Sequence, residues 1–283
     1  MLTKDKKILI VGLGLIGGSY AQMLTKAGFE VGAVTRSRKS IDYALEKGII
    51  SSGTVDVTRD YISQFDLLVF ALYPHIFIEW LEKYQDYIKQ GALITDVTGV
   101  KVGVVYKVQQ MLRDDLEFIA AHPMAGREVC GVENADGSIF KGANYIVTPT
   151  ASNTQDAIAT CRQLGGILGF ARISEVSPEE HDEMIGFLSQ LTHCIAVALM
   201  NCKESSHLVD FTGDSFRDLT RIARINEEMW SELFLLNRDE LLSQMDLFAG
   251  EFDKIRNAVR DGDTETLRRM MQISTLRRSY FDK

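Results

Sequence analysis

One glycine-rich segment limits what this chain can fold into more than any other. Gly12-Leu13-Gly14-Leu15-Ile16-Gly17-Gly18 directly follows an apolar run at residues 7–11 and directly precedes a helix-period stretch at 19–27. Glycines at GxGxxG spacing between a strand and a helix form a dinucleotide-binding turn. Gly12 permits the tight turn, Gly14 lets the backbone approach a pyrophosphate, and Gly17 lets the helix pack close on the strand. Leu13, Leu15 and Ile16 complete the loop, and free N–H groups at the helix start face the phosphates. A purely structural glycine turn is the plainer alternative. The agreement of strand, turn and helix favours the nucleotide.

The pattern around that turn repeats. Short apolar runs at 29–34, 66–71, 92–95, 118–121, 145–147 and 170–173 alternate with helix-period segments at 41–47, 76–88, 102–112 and 154–164. Such alternation builds a parallel sheet with helices on both faces. It predicts an α/β fold, a Rossmann-type doubly wound parallel sheet, over residues 1–175. After Ser174 no strand pattern appears. Ser177-Pro178 supply a cap and a first-turn proline for one long helix over 180–203, and further helices are expected over 226–237, 238–260 and 264–278. The second domain, 176–283, is therefore expected to be all-α. Along 238–260, Leu241, Met245, Phe248, Phe252, Ile255 and Val259 alternate spacings of four and three. That seam suits a partner helix, within the chain or in a second subunit.

Composition narrows the function classes. With 46% hydrophobic and 25% charged residues, the chain has apolar surface enough to fold. Its 31 basic and 39 acidic side chains leave a net charge of −8, which argues against a nucleic-acid groove. No apolar run approaches the ~20 residues of a membrane span, and no secretory signal is readable. Cys130, Cys161, Cys194 and Cys202 show neither a CxxC pair nor metal-ligand spacing. They read as free thiols in a reducing cytoplasm, with no metal site.

The end of the second strand bears on cofactor choice. An NAD enzyme usually places a carboxylate there for the ribose 2′-hydroxyl. This chain has Thr35, Arg36, Ser37 and Arg38, which favours NADP over NAD because guanidiniums and hydroxyls suit a 2′-phosphate. A merely solvated loop is the alternative. His122 closes the fifth strand in Ala120-Ala121-His122-Pro123-Met124-Ala125-Gly126. Ligands of open parallel sheets bind at the carboxyl ends of strands, where a neutral imidazole can accept a proton near neutral pH.

At these residues the sequence resembles the prephenate/arogenate dehydrogenase family of tyrosine biosynthesis, nearly end to end. The resemblance rests on the glycine turn, Asp96-Val97-Thr98-Gly99-Val100-Lys101, His122-Pro123-Met124-Ala125-Gly126, Gly131-Val132-Glu133-Asn134-Ala135, His181-Asp182 and Phe216-Arg217-Asp218-Leu219-Thr220-Arg221-Ile222-Ala223. It implies oxidative decarboxylation of prephenate or arogenate, with hydride transfer to NAD(P) and an aromatising loss of CO2. His122 would take the proton of the ring hydroxyl. Arg221 would clamp the ring carboxylate, bidentate geometry being the advantage of a guanidinium, with Asp218 holding it on one helical face. His193 and Trp230 match family positions near the substrate. His181 matches a position at the start of the same helix as His193; at ~100° per residue the two lie about 120° apart around the axis, so His193 is assigned to substrate and His181 to structure or an interface. The helical domain would pair two subunits as a homodimer.

Two departures from the family pattern stand out. Thr98-Gly99 replaces a Gly-Ser pair whose serine orients the catalytic histidine and the nicotinamide, so the Thr98 hydroxyl is the expected substitute. Asp214 lies in Gly213-Asp214-Ser215 where the family is glycine-rich, and would favour an amino group, hence arogenate. A β-hydroxyacid dehydrogenase or imine reductase on the same two-domain plan, with Lys203 as its lysine, and a non-catalytic NADP-binding redox sensor are the competing readings.

Overall fold

Four-residue and five-residue apolar strands buried on both faces set the architecture. The structure, a computed structural model, describes residues 1–127, 129–204 and 206–282. In chain order β1 (Lys7–Val11), α1 (Leu15–Lys26), β2 (Glu30–Val34), α2 (Arg38–Glu46), β3 (Ser52–Thr54), α3 (Arg59–Ile62), β4 (Leu67–Phe70), α4 (Pro74–Tyr84), β5 (Leu93–Asp96), α5 (Val102–Met111) and β6 (Glu117–Phe118) wind a six-stranded sheet. The strand order is β3-β2-β1-β4-β5-β6 and every pairing is parallel, the Rossmann arrangement whose order reverses beside β1. Apolar clusters cover both faces: Ile8, Ile10, Tyr20 and Val31 on one, Leu9, Val11, Phe70 and Phe77 on the other.

The single strand expected over 118–121 is broken. Ile119 N still donates to Ile94 O, but the N–H of Ala121 turns to the Asp96 side chain instead of a sheet partner. The chain then leaves the parallel sheet as β7 (Ala120–Pro123). It pairs antiparallel with β8 (Asn144–Thr148), which pairs parallel with β9 (Arg172–Glu175) after α6 (Gln155–Leu168). The six-stranded sheet is thus the parallel Rossmann sheet expected, and the later strands form a separate three-stranded mixed sheet, β7-β8-β9.

Everything described after Glu175 is helical or irregular. Ser177 caps α7 (Pro178–Ile185) through Glu180 N. The long helix then widens into a π segment, Gly186–Leu191, before resuming as α8 (Thr192–Asn201). Contrary to the sequence reading, the run Pro178–Asn201 is long and apolar enough to cross a membrane by length and composition alone. In the fold it turns His181, Asp182 and Gln190 inward. Then come α9 (Asp214–Thr220), α10 (Glu227–Leu236), α11 (Arg238–Asp261) and α12 (Thr264–Ser279). Helix α10 is docked on the sheet half: its Leu233 is 8% exposed and belongs to the same apolar cluster as Phe70 and Val104. Buried amides hold it there from the other side, since Gln190 Nε2 donates to Leu233 O and Asn237 Nδ2 to Asp182 O and Gln190 Oε1.

Candidate active site

The glycine turn has the geometry its spacing implies. Gly12 has φ +98°, and a Cβ there would lie 2.3 Å from Ala71 O. A Cβ on Gly17 would lie 2.0 Å from Gly12 O, so helix and turn touch backbone to backbone. At Gly14, the N-cap of α1, a Cβ would meet nothing within 4 Å and no side chain caps the helix. An open face over an uncapped helix N-terminus fits a pyrophosphate. Thr35 sits half-buried at the end of β2, and Arg36, Ser37 and Arg38 are exposed beside it. Ser37 also caps α2 through Ser40 N, so its hydroxyl oxygen has a structural task as well.

Beside this groove, at the end of β5, lies a buried polar cluster. Lys101 is 0% exposed; its Nζ donates to Asp96 Oδ2 at 2.8 Å, Ala121 O at 2.6 Å and Thr98 Oγ1 at 3.3 Å. All three ammonium donors are thus placed. Asp96, equally buried, accepts from Ala121 N, Thr98 N and the Thr98 hydroxyl. Burial pushes the Lys101 ammonium below its ordinary range, and the Asp96 carboxylate opposes that shift. Both backbone groups of Ala121 are clamped here, which fixes the chain at the residue before His122.

His122 meets the helical half directly. Its Nδ1 lies 2.9 Å from His181 Nε2, and His181 Nδ1 lies 2.7 Å from Asp182 Oδ1. Asp182 in turn accepts from the backbone N–H groups of Lys101 and Val102, both at 2.8 Å, at the start of α5. Burial holds the His122 imidazole well below its ordinary range, and the repulsion that a protonated His181 and the Lys101 ammonium would exert on an imidazolium acts in the same direction. Burial lowers His181 too, against the pull of Asp182. Both rings are therefore neutral at neutral pH, the state a proton acceptor needs.

The expected site residues divide into two groups. Around His122 the structure gathers Gly99, whose hypothetical Cβ would lie 3.9 Å from His122 Cε1 and 3.5 Å from Leu233 Cδ1. One turn before Leu233 on α10, Trp230 stacks on His193 with ring centroids 3.7 Å apart at 30°. His193 Nδ1 lies 2.8 Å from Ser189 O within the π segment; a carbonyl only accepts, so this nitrogen carries the ring proton. The other group, Asp214, Asp218 and Arg221, lies on the exposed stretch around α9. Asp214 is 94% exposed and pairs with Arg217 at 3.6 Å. Helix α9 ends at Thr220 and Arg221 opens a 3₁₀ turn, so Asp218 and Arg221 do not share one continuous α-helical face as expected.

Two further expectations change. The Thr98 hydroxyl does not stand in for a pocket serine: with Asp96, Val100 O and Lys101 as partners, it is committed inside the buried cluster. His181, assigned to structure or an interface, is bonded to His122 itself. The π segment between His181 and His193 also breaks the uniform ~100° step behind the angular argument. Its sequence signal was the His181-Asp182 pair, but nothing local points it at a residue 59 positions earlier.

The prephenate dehydrogenase nucleotide-binding domain model matches residues 20–168, and the prephenate dehydrogenase dimerization domain model matches residues 177–273. The chain belongs to the prephenate dehydrogenase family. It is 32% identical to the prephenate dehydrogenase of Bacillus subtilis over 268 residues, 92% of this chain and 72% of that one. It is 30% identical to the cyclohexadienyl dehydrogenase of Zymomonas mobilis over 273 residues, 93% and 92% of the two chains. The solved structure of Aquifex aeolicus prephenate dehydrogenase with hydroxyphenyl propionate and NAD+ superposes with a TM-score of 0.88, at 27% identity and 98% coverage of both chains. Membership makes the chain an NAD(P)-dependent oxidoreductase with a nicotinamide dinucleotide cofactor, and disfavours the hydroxyacid dehydrogenase and sensor readings.

Proposed function

We propose that this chain oxidatively decarboxylates prephenate or arogenate, with His122 as the base for the ring hydroxyl. The observation that carries the reading is the placement of a clamped His122 on β7, just beyond the carboxyl end of β5, next to Gly99 and Leu233 and within a turn of the Trp230–His193 stack. The bound cofactor supplies the hydride acceptor. The chain's own tasks are to hold the ring hydroxyl on His122, to take its proton and to keep water out. The hydroxyl's O–H electrons become the new C=O bond as hydride leaves; loss of CO2 then sends the electrons of the broken C–C bond through the ring to that oxygen, which takes the proton back from His122 as the aromatic phenol forms. Alignment and a base of modest strength suffice for such a step. Trp230 and His193 would flank the substrate side chain, with Arg221 toward a carboxylate.

NADP is the preferred cofactor in this reading, because Arg36 and Arg38 flank Thr35 and Ser37 with no carboxylate among residues 35–39. The reading includes a homodimer, supported by α11, where Phe252, Ile255 and Val259 are 57%, 43% and 63% exposed along one seam, and by the match to the dimerization domain model. The domain boundary is placed at 175/176, where strands give way to helices, and the reading assigns the enzyme to the cytoplasm. The test is reduced-nicotinamide absorbance with prephenate and arogenate, each crossed with NAD and NADP. Turnover by at least one pair, abolished by His122→Asn with cofactor binding retained, is expected. Silence with all four pairs in cofactor-binding protein overturns the proposal.

A further inference from the structure

The structure assigns His181 and Asp182 a positioning role: they fix the tautomer of His122 so that Nδ1 carries the proton and Nε2 is the bare, proton-accepting nitrogen. The inference deepens the proposed function and rests on it for the identity of the reaction.

The assignment follows by elimination from one end of the chain of contacts. Asp182 is 1% exposed and its two oxygens accept the N–H groups of Lys101 and Val102. Those are donors only, so the carboxylate is an acceptor on both sides. His181 Nδ1, 2.7 Å from Oδ1, must therefore be the donor. A neutral imidazole has one proton, which leaves His181 Nε2 as an acceptor. His122 Nδ1, 2.9 Å away, must then donate to it. His122 Nε2 is left without a proton. The hydrogen bond to one ring nitrogen thus decides the chemistry of the other. The logic is that of a Ser-His-Asp triad, with one more imidazole between the base and the carboxylate.

The same contacts make the chain rigid. His181 is 0% exposed, and Asp182 ties α7 to the first turn of α5 through two backbone amides. Asn237 holds the carbonyl of Asp182. When Nε2 takes the substrate's hydroxyl proton, the new imidazolium finds its Nδ1–H already bonded toward Asp182, so its charge is met without rearrangement.

The experiment has two readouts. Imidazole nitrogen NMR of labelled protein with bound NADP at neutral pH reports which nitrogen of His122 is protonated, with His122→Asn used to assign the signal. The Nδ1–H form is expected; the Nε2–H form overturns the assignment. Kinetics compares His181→Leu, which removes the acceptor, with His181→Gln, whose side-chain oxygen can replace Nε2. His181→Leu should lower kcat by ~10²- to 10³-fold, with KM and the cofactor Kd within about threefold of the parent. His181→Gln should recover at least tenfold of that loss. Equal values for the two variants, or a kcat within about threefold of wild type for both, refute the role. If no substrate pair turns over, the proposed function fails, yet the NMR result on unsubstituted protein still decides the tautomer.

Discussion

Lys101→Met removes the cation from the buried cluster and leaves Asp96 in place. The size of the effect can be worked out from the contacts. Lys101 and Asp96 are both 0% exposed and 2.8 Å apart, so solvent cannot screen what remains. Breaking such a pair from one side destabilises by ~3–5 kcal/mol, because a charge stays buried without its partner. Asp96 keeps hydrogen bonds from Ala121 N, Thr98 N and the Thr98 hydroxyl, which places the expected loss near the low end, ~3 kcal/mol. At ~2–4 °C per kcal/mol for chains of about this size, the melting temperature should fall by ~6–12 °C. The assay is calorimetry of the variant beside the parent, at neutral pH and without cofactor. The control repeats Lys101→Met in the Asp96→Asn background, where no buried anion is left behind. There the loss should shrink by at least ~1 kcal/mol, the scale of a coupling between contacting residues. An equal loss in both backgrounds would mean that Lys101 acts through packing or its bond to Ala121 O, and would refute the argument from charge.

Three further outcomes follow from the site geometry. Gly17→Ala puts a Cβ 2.0 Å from Gly12 O, and dinucleotide affinity measured by calorimetric titration should drop at least ~10-fold, ~1.4 kcal/mol; unchanged affinity would deny the turn its role. Gly99→Ser meets only ordinary van der Waals neighbours, Leu233 at 3.5 Å and His122 at 3.9 Å, so its melting temperature should stay within ~2 °C of the parent, as for substitutions free of strain; a fall beyond ~5 °C would contradict the space described. The pH profile of kcat/KM should follow the lowered His122: the base is neutral above its pKa and lost by protonation below it. Activity should therefore be level from pH 7 upward and decline only at pH values below the ordinary imidazole midpoint of ~6.5; an acid limb at or above that value would count against His122 as described.

Legibility in the sequence followed how local each cause was. Strands β1, β2, β4 and β5 are apolar runs that announce themselves, and the glycine turn carries its own steric reasons. Strand β3 is Ser-Gly-Thr, which no pattern marks; it exists because β2 offers it an open edge. The break at Ile119 depends on Asp96 reaching Ala121 N across 25 positions. His122 was readable because strand, motif and sheet edge coincide within a few residues. His181 was not, because its partner is brought to it only by docking α7 on α5. Thr98 was misread for a related reason: its hydroxyl answers to Lys101, whose complete burial cannot be seen in Asp96-Val97-Thr98-Gly99-Val100-Lys101 read as a string.

That buried cation also bears on the base it underlies. Burial first, and the charge of Lys101 with it, disfavour protonated His122, so the resting ring is free to accept a proton. The same influences make it a weaker base, which would slow a proton transfer that had to run uphill. On the proposed reaction that penalty is small, because hydride departure leaves the hydroxyl oxygen electron-poor and its proton strongly acidic, and the later loss of CO2 makes the overall step irreversible. What the reaction demands instead is the correct nitrogen, in place, before the substrate arrives. Lys101 and Asp96 fix the backbone on one side of His122, and His181 with Asp182 fixes the ring from the other. One clamp comes from each half of the chain, so the geometry of the base depends on the docking of the two halves.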